Sequence, residues 1–317
     1  MAYVVKRLLI MLPVLFIVSV LVFSLIHLIP GDPAQVILGQ DATPSGLAAL
    51  RAQLGLNEPL VMQYLHWVGR VLQGNLGHSL VDGTPVLNLI LQRLPVTLEL
   101  ALGTFIVSLL VAFPLGILAA VYRGKFGDTV ALFSSSLGLS VPPFWLGIIL
   151  LLAFTVKIHL FPSSGYVPIW QNLGQNVWTM ILPIAATGVR EAAVLMRMLR
   201  SSLLDVLHQD YIRTARAKGL VGWLVIVRHA LKNALIPVIT TGGLQLAGLL
   251  GGLVITETVF SLPGFGSLLV QSIFSRDYTT IQGAALVIAV LVVVVNVLVD
   301  LVYGLVDPRI HFGKESA

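Results

Sequence analysis

The sequence predicts an all-α integral membrane protein with about six transmembrane helices. Of its 317 residues, 57% are hydrophobic and only 10% are charged, which is too little charge for the surface of a soluble domain of this length. Several apolar runs reach about 20 residues, the length that crosses roughly 30 Å of hydrocarbon as an α-helix. The mean hydropathy of +0.95 agrees with this fold class.

Six spans can be placed in order along the chain. The first apolar run follows a basic start, as in a signal peptide. It is longer than a signal peptide's hydrophobic region and no small-residue cleavage site follows it, so we interpret it as a retained span. Prolines in several runs each remove a backbone hydrogen bond and should kink those helices. The predicted spans are 8–28, 96–121, 130–156, 177–197, 236–259 and 283–304.

The distribution of lysine and arginine predicts the orientation of the chain. Basic residues are more numerous on the side that holds both termini and the segment 198–235 than on the side that holds the segment 29–95. Because positively charged loops stay in the cytoplasm, we expect the termini and 198–235 to be cytoplasmic and 29–95 to be extracytoplasmic. Residues 1–317 are expected to form a single transmembrane domain.

Residues that would support catalysis are missing from the sequence. There are no cysteines, which excludes disulfides and thiolate chemistry. No G-x-x-x-x-G-K-[ST] phosphate loop, G-x-S-x-G motif or H-E-x-x-H motif occurs. We therefore expect a non-catalytic chain that does not hydrolyse ATP by itself. The net charge of +5 is interpreted as a result of topology and lipid contact, not of nucleic-acid binding.

Ionisable residues inside the spans are candidates for function, because the insertion of each costs roughly a few kcal/mol. Glu99 is expected in the first turn of the second span, where the helix dipole favours a carboxylate. Structural roles are also assigned to Arg190, Glu191 and Asp300. Glu257 is expected at the C-terminal end of the fifth span, where the dipole disfavours an anion. We therefore predict a role for Glu257 at the outer mouth or gate.

The fifth span is rich in glycine and carries polar side chains, and two interpretations are open. Gly248 and Gly252 fit the small-xxx-small spacing of close helix packing. Alternatively, this span lines a central pathway, with Thr240, Thr241 and Gln245 as its polar candidates.

The segment 29–95 contains an amphipathic stretch, EPLVMQYLHWVGRVLQ. Leu60, Tyr64, Trp67 and Val71 fall on one face of this predicted helix. One interpretation is a helix that lies at the membrane interface, with Trp67 at the depth of the headgroups. The other is a docking surface for an extracytoplasmic partner, with Tyr64 and Trp67 as the candidate contacts.

Positive charge is concentrated in the segment DYIRTARAKGLVGWLVIVRHALKNALIP, 210–237. Residues from Asp210 to Lys218 favour helix, Gly219 permits a left-handed turn, and a helical pattern resumes from Trp223 to Leu235. The apolar side chains of the second part need a surface to cover. Binding to the membrane surface and docking into a groove on a cytoplasmic partner would both provide one.

This segment resembles the EAA loop of ABC-importer permeases, whose consensus is E-A-A, three residues, G, nine residues and I-x-L-P. With Gly219 on the consensus glycine, Arg213, Thr214 and Ala215 occupy the E-A-A positions. The glycine, the second alanine, the leucine and the spacing match, whereas the glutamate, the isoleucine and the proline do not. The sequence is similar to the variant of the EAA loop that is typical of the dipeptide/oligopeptide permease family. The motifs LIPGDPA, LGLNEPL, GNLGHS, TETVFSLPGFG and NVLVDLVYGLVDPRI extend this resemblance over nearly the whole chain.

The resemblance implies that the chain has a type I ABC-importer permease fold and lies in the bacterial inner membrane. It also implies that the chain is the first permease of a pair. The implied partners are a homologous second permease, two cytoplasmic ATPase subunits and an extracytoplasmic substrate-binding protein. ATP and magnesium would be held by the ATPase subunits, with no cofactor on this chain. Relatives of this kind carry dipeptides, oligopeptides, glutathione or nickel. The residues implied to couple to the ATPase are Arg213, Thr214, Ala215, Arg216, Lys218, Gly219, Leu220, Val221, Gly222, Trp223, Leu224, Arg228 and His229.

Two other functions are compatible with a polytopic chain. One is a secondary transporter or channel that acts without an ATPase. Inverted repeats and a buried pair of proton-carrying carboxylates would favour it, and the sequence shows neither. The other is a membrane scaffold that transports nothing.

Overall fold

A computed structural model of the chain describes residues 2–28, 34–35, 43–53 and 55–306. The described part is helical, and its β-structure is limited to an isolated bridge between His78 and Pro85. In chain order the helices are α1 (Ala2–Leu28), α2 (Pro44–Gln53), α3 (Leu60–Leu72), α4 (Val86–Val121), α5 (Phe126–Ser140), α6 (Pro143–Leu150, continued as a π-helix over Leu151–Lys157), α7 (Leu173–Leu207), α8 (Asp210–Ala217), α9 (Gly222–Leu224, continued as a π-helix over Val225–Ala230), α10 (Leu231–Gly252), α11 (Val254–Val259), α12 (Phe265–Phe274) and α13 (Tyr278–Val306).

Membrane-length helices occur where the sequence predicts them. Four described stretches are long and apolar enough to cross a bilayer, and α5 with α6 forms a fifth if this bent pair is one span. The predicted first span lies within α1, in which Met11–Ser24 is a shorter apolar stretch. The four long stretches are Val86–Val121, Leu173–Leu207, Gly222–Gly252 and Tyr278–Val302.

The boundaries of three predicted spans are wrong. The second span begins ten residues earlier, at Val86, so that α4 has 36 residues and Pro95 lies inside the helix instead of at its start. The predicted span 130–156 is broken into two helices that meet at 97°. The fifth span ends at Gly252, and the short helix α11 follows it.

The break between α5 and α6 has a local cause in the pair Pro142–Pro143. The residue before a proline is pushed towards extended backbone, and Val141 has φ −88° and ψ 120°. Neither proline has an N–H to continue the helix, whereas Pro143 suits the first turn of the next one. By contrast, α7 continues through Pro183 without ending.

The chain divides into two compact units. The larger unit consists of Met1–Val4, Val96–Leu262 and Val294–Ala317, and the smaller unit of Val5–Pro95 and Pro263–Val293. Within the larger unit, α7 packs against α5, α6 and α10. Within the smaller unit, one buried cluster joins Val86 and Ile90 to Phe265 and Ala284.

Glycines allow close helix contacts in the larger unit, but not at the positions that the sequence favours. A Cβ at Gly243 would lie 2.5 Å from Val299 Cγ2 of α13. Among the described residues, a Cβ at Gly248, Gly251 or Gly252 would meet no atom within 4 Å apart from the adjacent backbone of its own helix. The proposed packing role of Gly248 and Gly252 therefore finds no support within the described residues, and Gly243 makes the close contact instead.

We expect Gly243→Ala to lower the stability of the protein relative to Gly251→Ala. Both substitutions add the same methyl group and the same gain in helix propensity, but only the first forces Val299 to move. Overpacking of this kind costs about 1–3 kcal/mol. Thermal unfolding of the two purified variants in detergent would measure the difference, and equal melting temperatures would contradict the contact.

Candidate functional site

A cavity of about 420 Å³ lies in the larger unit. Helix α7 contributes one wall and α10 another, while the start of α6 and the residues around α11 complete it. Such a volume is in the usual range of sites for small molecules. The residues that line it are Pro143, Phe144, Thr187, Arg190, Glu191, Val194, Gln245, Gly248, Leu249, Gly252, Leu253, Ile255 and Thr256.

Polar side chains give this cavity its chemical character. Gln245 Nε2 donates a hydrogen bond of 3.2 Å to the backbone oxygen of Glu191, which fixes the side chain of Gln245 against α7. The Oε1 atom of Gln245 is buried and accepts no hydrogen bond from the described residues. A buried amide oxygen without a donor costs about 1–3 kcal/mol. Gln245 can therefore accept a hydrogen bond from a solute or a water molecule in the cavity.

The four predicted pathway residues do not lie together. Gln245 lines the cavity, whereas Thr240 and Thr241 do not. Their hydroxyl groups donate to the carbonyl oxygens of Ile236 and Pro237, one turn back in α10. A pathway role for the two threonines stays a prediction.

Glu257 lies outside the cavity lining and is fully buried. Its Oε1 atom accepts a hydrogen bond of 2.5 Å from Thr97 Oγ1, a contact between α11 and α4. Because the long helix ends at Gly252, Glu257 is not in its last turn, and the dipole argument from the sequence was wrong. A gate role for Glu257 stays a prediction, and its observed contact connects two helices.

Two residues to which the sequence assigned structural roles line the cavity. Arg190 and Glu191 are adjacent on α7. The signal that could have identified them is their presence within an apolar span, since charged residues there usually face a cavity or the interior of a bundle. Thr187, one turn earlier, was missed because a threonine in an apolar helix gives no such signal.

Glu99 is not in the first turn of its helix, because α4 begins at Val86, so the dipole argument for Glu99 was wrong and its observed contacts are hydrogen bonds. Asn176 Nδ2 donates to Glu99 Oε2 at 2.7 Å and to the backbone oxygen of Val167 at 2.8 Å. These bonds fix the segment before α7. Burial and the nearby Glu99 carboxylate raise the pKa of Tyr166 in this segment, because both disfavour the phenolate.

The basic segment has the bend that the sequence predicts. Helix α8 ends at Ala217, and Gly219 has a φ of +78°, in the left-handed region. On one face, Ile212, Val225 and Ile226 are buried in a cluster with Leu203 of α7.

The opposite face of this segment is apolar and exposed. Val221 is 69% exposed and Trp223 is 66% exposed, and Leu224 and Val227 are exposed beside them. The cationic residues Arg213, Arg216, Lys218 and Arg228 are exposed as well, whereas Ala215 is buried and Leu220 and His229 are half-buried. The pair of Arg213 with Asp210, 3.5 Å apart and highly exposed, contributes little to stability.

The amphipathic helix of the smaller unit is covered by α1. Tyr64 OH lies 2.7 Å from Ser19 Oγ, and the Tyr64 ring packs edge-on against Phe23 at 5.4 Å. Trp67 is buried beside Val22. Both aromatic rings therefore pack inside the unit, and a docking role for Tyr64 and Trp67 stays a prediction.

Comparisons with known proteins agree over the whole chain. The family described as "Binding-protein-dependent transport system inner membrane component" matches residues 112–312, and its N-terminal counterpart matches residues 1–101. The probable peptide ABC transporter permease protein y4tP of Sinorhizobium fredii is 43% identical over 310 residues, which cover 98% of this chain and 99% of that protein. The dipeptide transport system permease protein DppB of Escherichia coli K12 is 40% identical over 336 residues, with the same coverage.

Solved structures show the same fold at low sequence identity. An inward-facing structure of the MetNI methionine ABC transporter matches with a TM-score of 0.57 and 19% identity, covering 69% of this chain and 96% of that chain. An amino acid ABC transporter with histidines matches with a TM-score of 0.52 and 16% identity, covering 68% of this chain and 94% of that chain.

Membrane-length helices around a polar cavity define a multi-pass membrane permease. The chain belongs to the family of binding-protein-dependent transport system inner membrane components. It is accordingly a membrane-spanning permease subunit of an ABC importer.

We expect Glu257→Ala to destabilise the protein, because it removes the buried hydrogen bond between Thr97 Oγ1 and the Glu257 carboxylate and leaves a gap where that side chain was. The loss of such a bond costs about 1–3 kcal/mol. Thr240→Ala is the matched control, since it removes a hydroxyl whose hydrogen bond among the described residues goes to Ile236 of its own helix. The melting temperature in detergent should fall for the first variant and change little for the second. An unchanged melting temperature together with lost transport would show that Glu257 acts as a gate.

Proposed function

We propose that this chain imports short peptides, or solutes of similar size, as half of an ATP-driven pathway. A homologous second permease would form the other half, two cytoplasmic ATPase subunits would drive it, and an extracytoplasmic binding protein would deliver the solute. The names of the relatives from Sinorhizobium and Escherichia coli support peptides as the substrate class. ATP and magnesium belong to the ATPase subunits, and this chain supplies no catalytic group.

The observation that carries this proposal is the bent segment from α8 to the start of α10. Its buried face packs against Ala120 at the end of α4 and Leu203 at the end of α7. Its exposed tip presents Val221 and Trp223. When a partner bound to the exposed apolar tip moves, the buried face of the segment can transmit that displacement to the membrane helices against which it packs.

A cleft on an ATPase subunit is the partner that fits this tip. Exposed apolar side chains need cover, and tryptophan is frequent among the residues that contribute most to interfaces. The exposed cations Arg213, Arg216 and Lys218 precede the tip in the sequence and would pair with acidic or backbone groups at the edge of the cleft. The positions that resemble the EAA loop, Arg213 to Leu224 with Arg228 and His229, would therefore couple ATP binding to the spans.

The cavity between α7 and α10 supports the same proposal. Gln245, Arg190 and Glu191 offer hydrogen bonds and both signs of charge, which suits the amide groups and termini of a peptide. Gly248 and Gly252 line it, and a Cβ at either position would meet no atom of another described element within 4 Å. In the assembled importer this face would line the pathway. The pathway would open to the outside when ATP is bound, and ATP hydrolysis would return it to the inward-open state.

The orientation follows from the distribution of basic residues. With both termini and 198–235 in the cytoplasm, the coupling segment lies on the side of the nucleotide. The segment 29–95 then lies outside, where the binding protein delivers the solute.

Reconstitution tests the proposal directly. The permease pair, its ATPase subunits and the binding protein would be placed in liposomes with a radiolabelled dipeptide outside. Uptake should require ATP and the binding protein and should resist a protonophore. Uptake by this chain alone, driven by an ion gradient, would contradict the proposal in favour of a secondary transporter.

We expect Trp223→Ala to weaken the binding of the ATPase subunits at least tenfold, which corresponds to about 1.4 kcal/mol. The matched control is Trp170→Ala, because Trp170 is equally exposed, at 67% against 66%, and lies in the segment before α7. Co-purification and titration of the ATPase subunits would measure the change. Equal binding by both variants would contradict the assigned tip.

We expect Gly219→Val to uncouple ATP hydrolysis from uptake while insertion into the membrane is unchanged. Open space surrounds Gly219, so the effect comes from backbone strain of about 1–3 kcal/mol in the left-handed region. Gly219→Asn should retain coupling, since asparagine tolerates this conformation. The ratio of solute taken up to ATP hydrolysed is the measurement, and an unchanged ratio in the valine variant would contradict the assignment.

A further inference from the structure

The smaller unit contains a second cavity, of about 450 Å³, that the proposed pathway does not use. One wall is a face of α3, where Gln63, His66, Trp67 and Arg70 recur at the helical spacing of three and four residues. A second wall is the segment 75–83, and the third is the beginning of α13, where Tyr278 is buried.

The second wall is held rigidly in place by Asp277. This buried carboxylate accepts a hydrogen bond of 2.6 Å from Ser79 Oγ and one of 3.1 Å from the backbone nitrogen of Leu80. It also accepts one of 2.7 Å from Thr280 Oγ1. Gly77 approaches α13 so closely that a Cβ there would lie 2.6 Å from Thr279 Cγ2. A wall fixed in this way is pre-formed, which lowers the cost of binding a ligand.

The side chains around this cavity are arranged by chemical type. Its floor is apolar and aromatic, because Trp67 and Tyr278 are buried there. Its rim carries the exposed side chains of Glu58, Arg70 and His78. The Arg70 guanidinium has no carboxylate or other side-chain partner among the described residues.

Both signs of charge are available at this rim. Glu58 Oε2 lies 3.0 Å from His66 Nδ1, but the two side chains are 43% and 59% exposed. A polar contact with that exposure holds its partners weakly, so Glu58 can exchange this contact for a stronger one. Arg70 can bind a carboxylate through two parallel hydrogen bonds.

We propose that this cavity is a binding site for a small zwitterionic solute of the size of a dipeptide. Arg70 binds its carboxylate, Glu58 binds its ammonium group, and the floor of Trp67 and Tyr278 accepts an apolar side chain. The inference rests on the proposed function, which places the segment 29–95, the source of most of the lining, outside the membrane and makes short peptides the substrates. The solute would occupy this site before it enters the membrane pathway.

Direct binding tests the proposal without transport. The purified complex of both permeases and the ATPase subunits, without the binding protein, is titrated with L-alanyl-L-phenylalanine by calorimetry. Two further probes remove one charge each, namely the amide of this dipeptide and its N-acetyl derivative. The intact complex should bind the free dipeptide at least tenfold more tightly than either derivative.

Variants assign each charge to one residue. Arg70→Gln should weaken binding of the free dipeptide about tenfold and abolish the preference over the amide. Glu58→Gln should abolish the preference over the N-acetyl derivative. Arg93→Gln is the control, because Arg93 belongs to the same unit but does not line the cavity. The complex with this substitution should bind the dipeptide as tightly as the unaltered complex does.

Two outcomes would overturn the proposal. One is the lack of saturable binding by the complex, and the other is binding whose preferences survive Arg70→Gln and Glu58→Gln. ATP-driven uptake is measured in parallel, after the same purified complex has been placed in liposomes and the binding protein has been added. This second measurement tests the proposed function separately from the additional site. If uptake persists while binding fails, only the additional site is refuted, and if uptake itself fails, the proposed function is refuted.

Discussion

The burial of one face of the segment 210–230 against the ends of α4 and α7 is the contact on which the proposed mechanism depends. Ile212, Val225 and Ile226 are almost fully buried with Leu203 and Ala120. Because packed interiors are close to crystal density and transmit strain, a displacement of the exposed tip moves the helices beneath it. Without that buried face, the tip would move independently of the spans.

The two units place their buried polar side chains in different ways. In the larger unit, Gln245 and the pair Arg190–Glu191 place polar groups around a cavity in apolar surroundings. In the smaller unit, a buried aspartate, Asp277, organises a loop by accepting hydrogen bonds from two loop donors, Ser79 Oγ and the backbone nitrogen of Leu80. The oxygens of Asp277 thus have donors within the chain, whereas Gln245 Oε1 accepts no hydrogen bond from the described residues, which is costly for a buried polar group unless a solute or water supplies the donor.

Local patterns in the sequence predicted the local features of the fold. Hydropathy located the long helices and Gly219 marked the left-handed turn, whereas the prolines of the span 130–156 predicted a kink and the structure has a full break of 97°. The extension of α4 back to Val86 could not be predicted, because Gln92, Arg93 and Pro95 interrupt the apolar run. Contacts between distant segments were equally inaccessible, since the bond between Thr97 and Glu257 joins residues 160 positions apart. The dipole argument for Glu257 failed because it assumed where the helix ends.

The length of α4 has a consequence for how it sits in a bilayer. Its 36 residues span about 54 Å at a rise of about 1.5 Å per residue, against a hydrocarbon thickness of roughly 30 Å. Transmembrane helices tilt by up to about 40°, and even that inclination accommodates only about 26 residues. The helix must therefore project beyond the hydrocarbon by about ten residues. Arg93, in the polar stretch that precedes Pro95, would then lie in the headgroup layer, where a guanidinium finds phosphate and water.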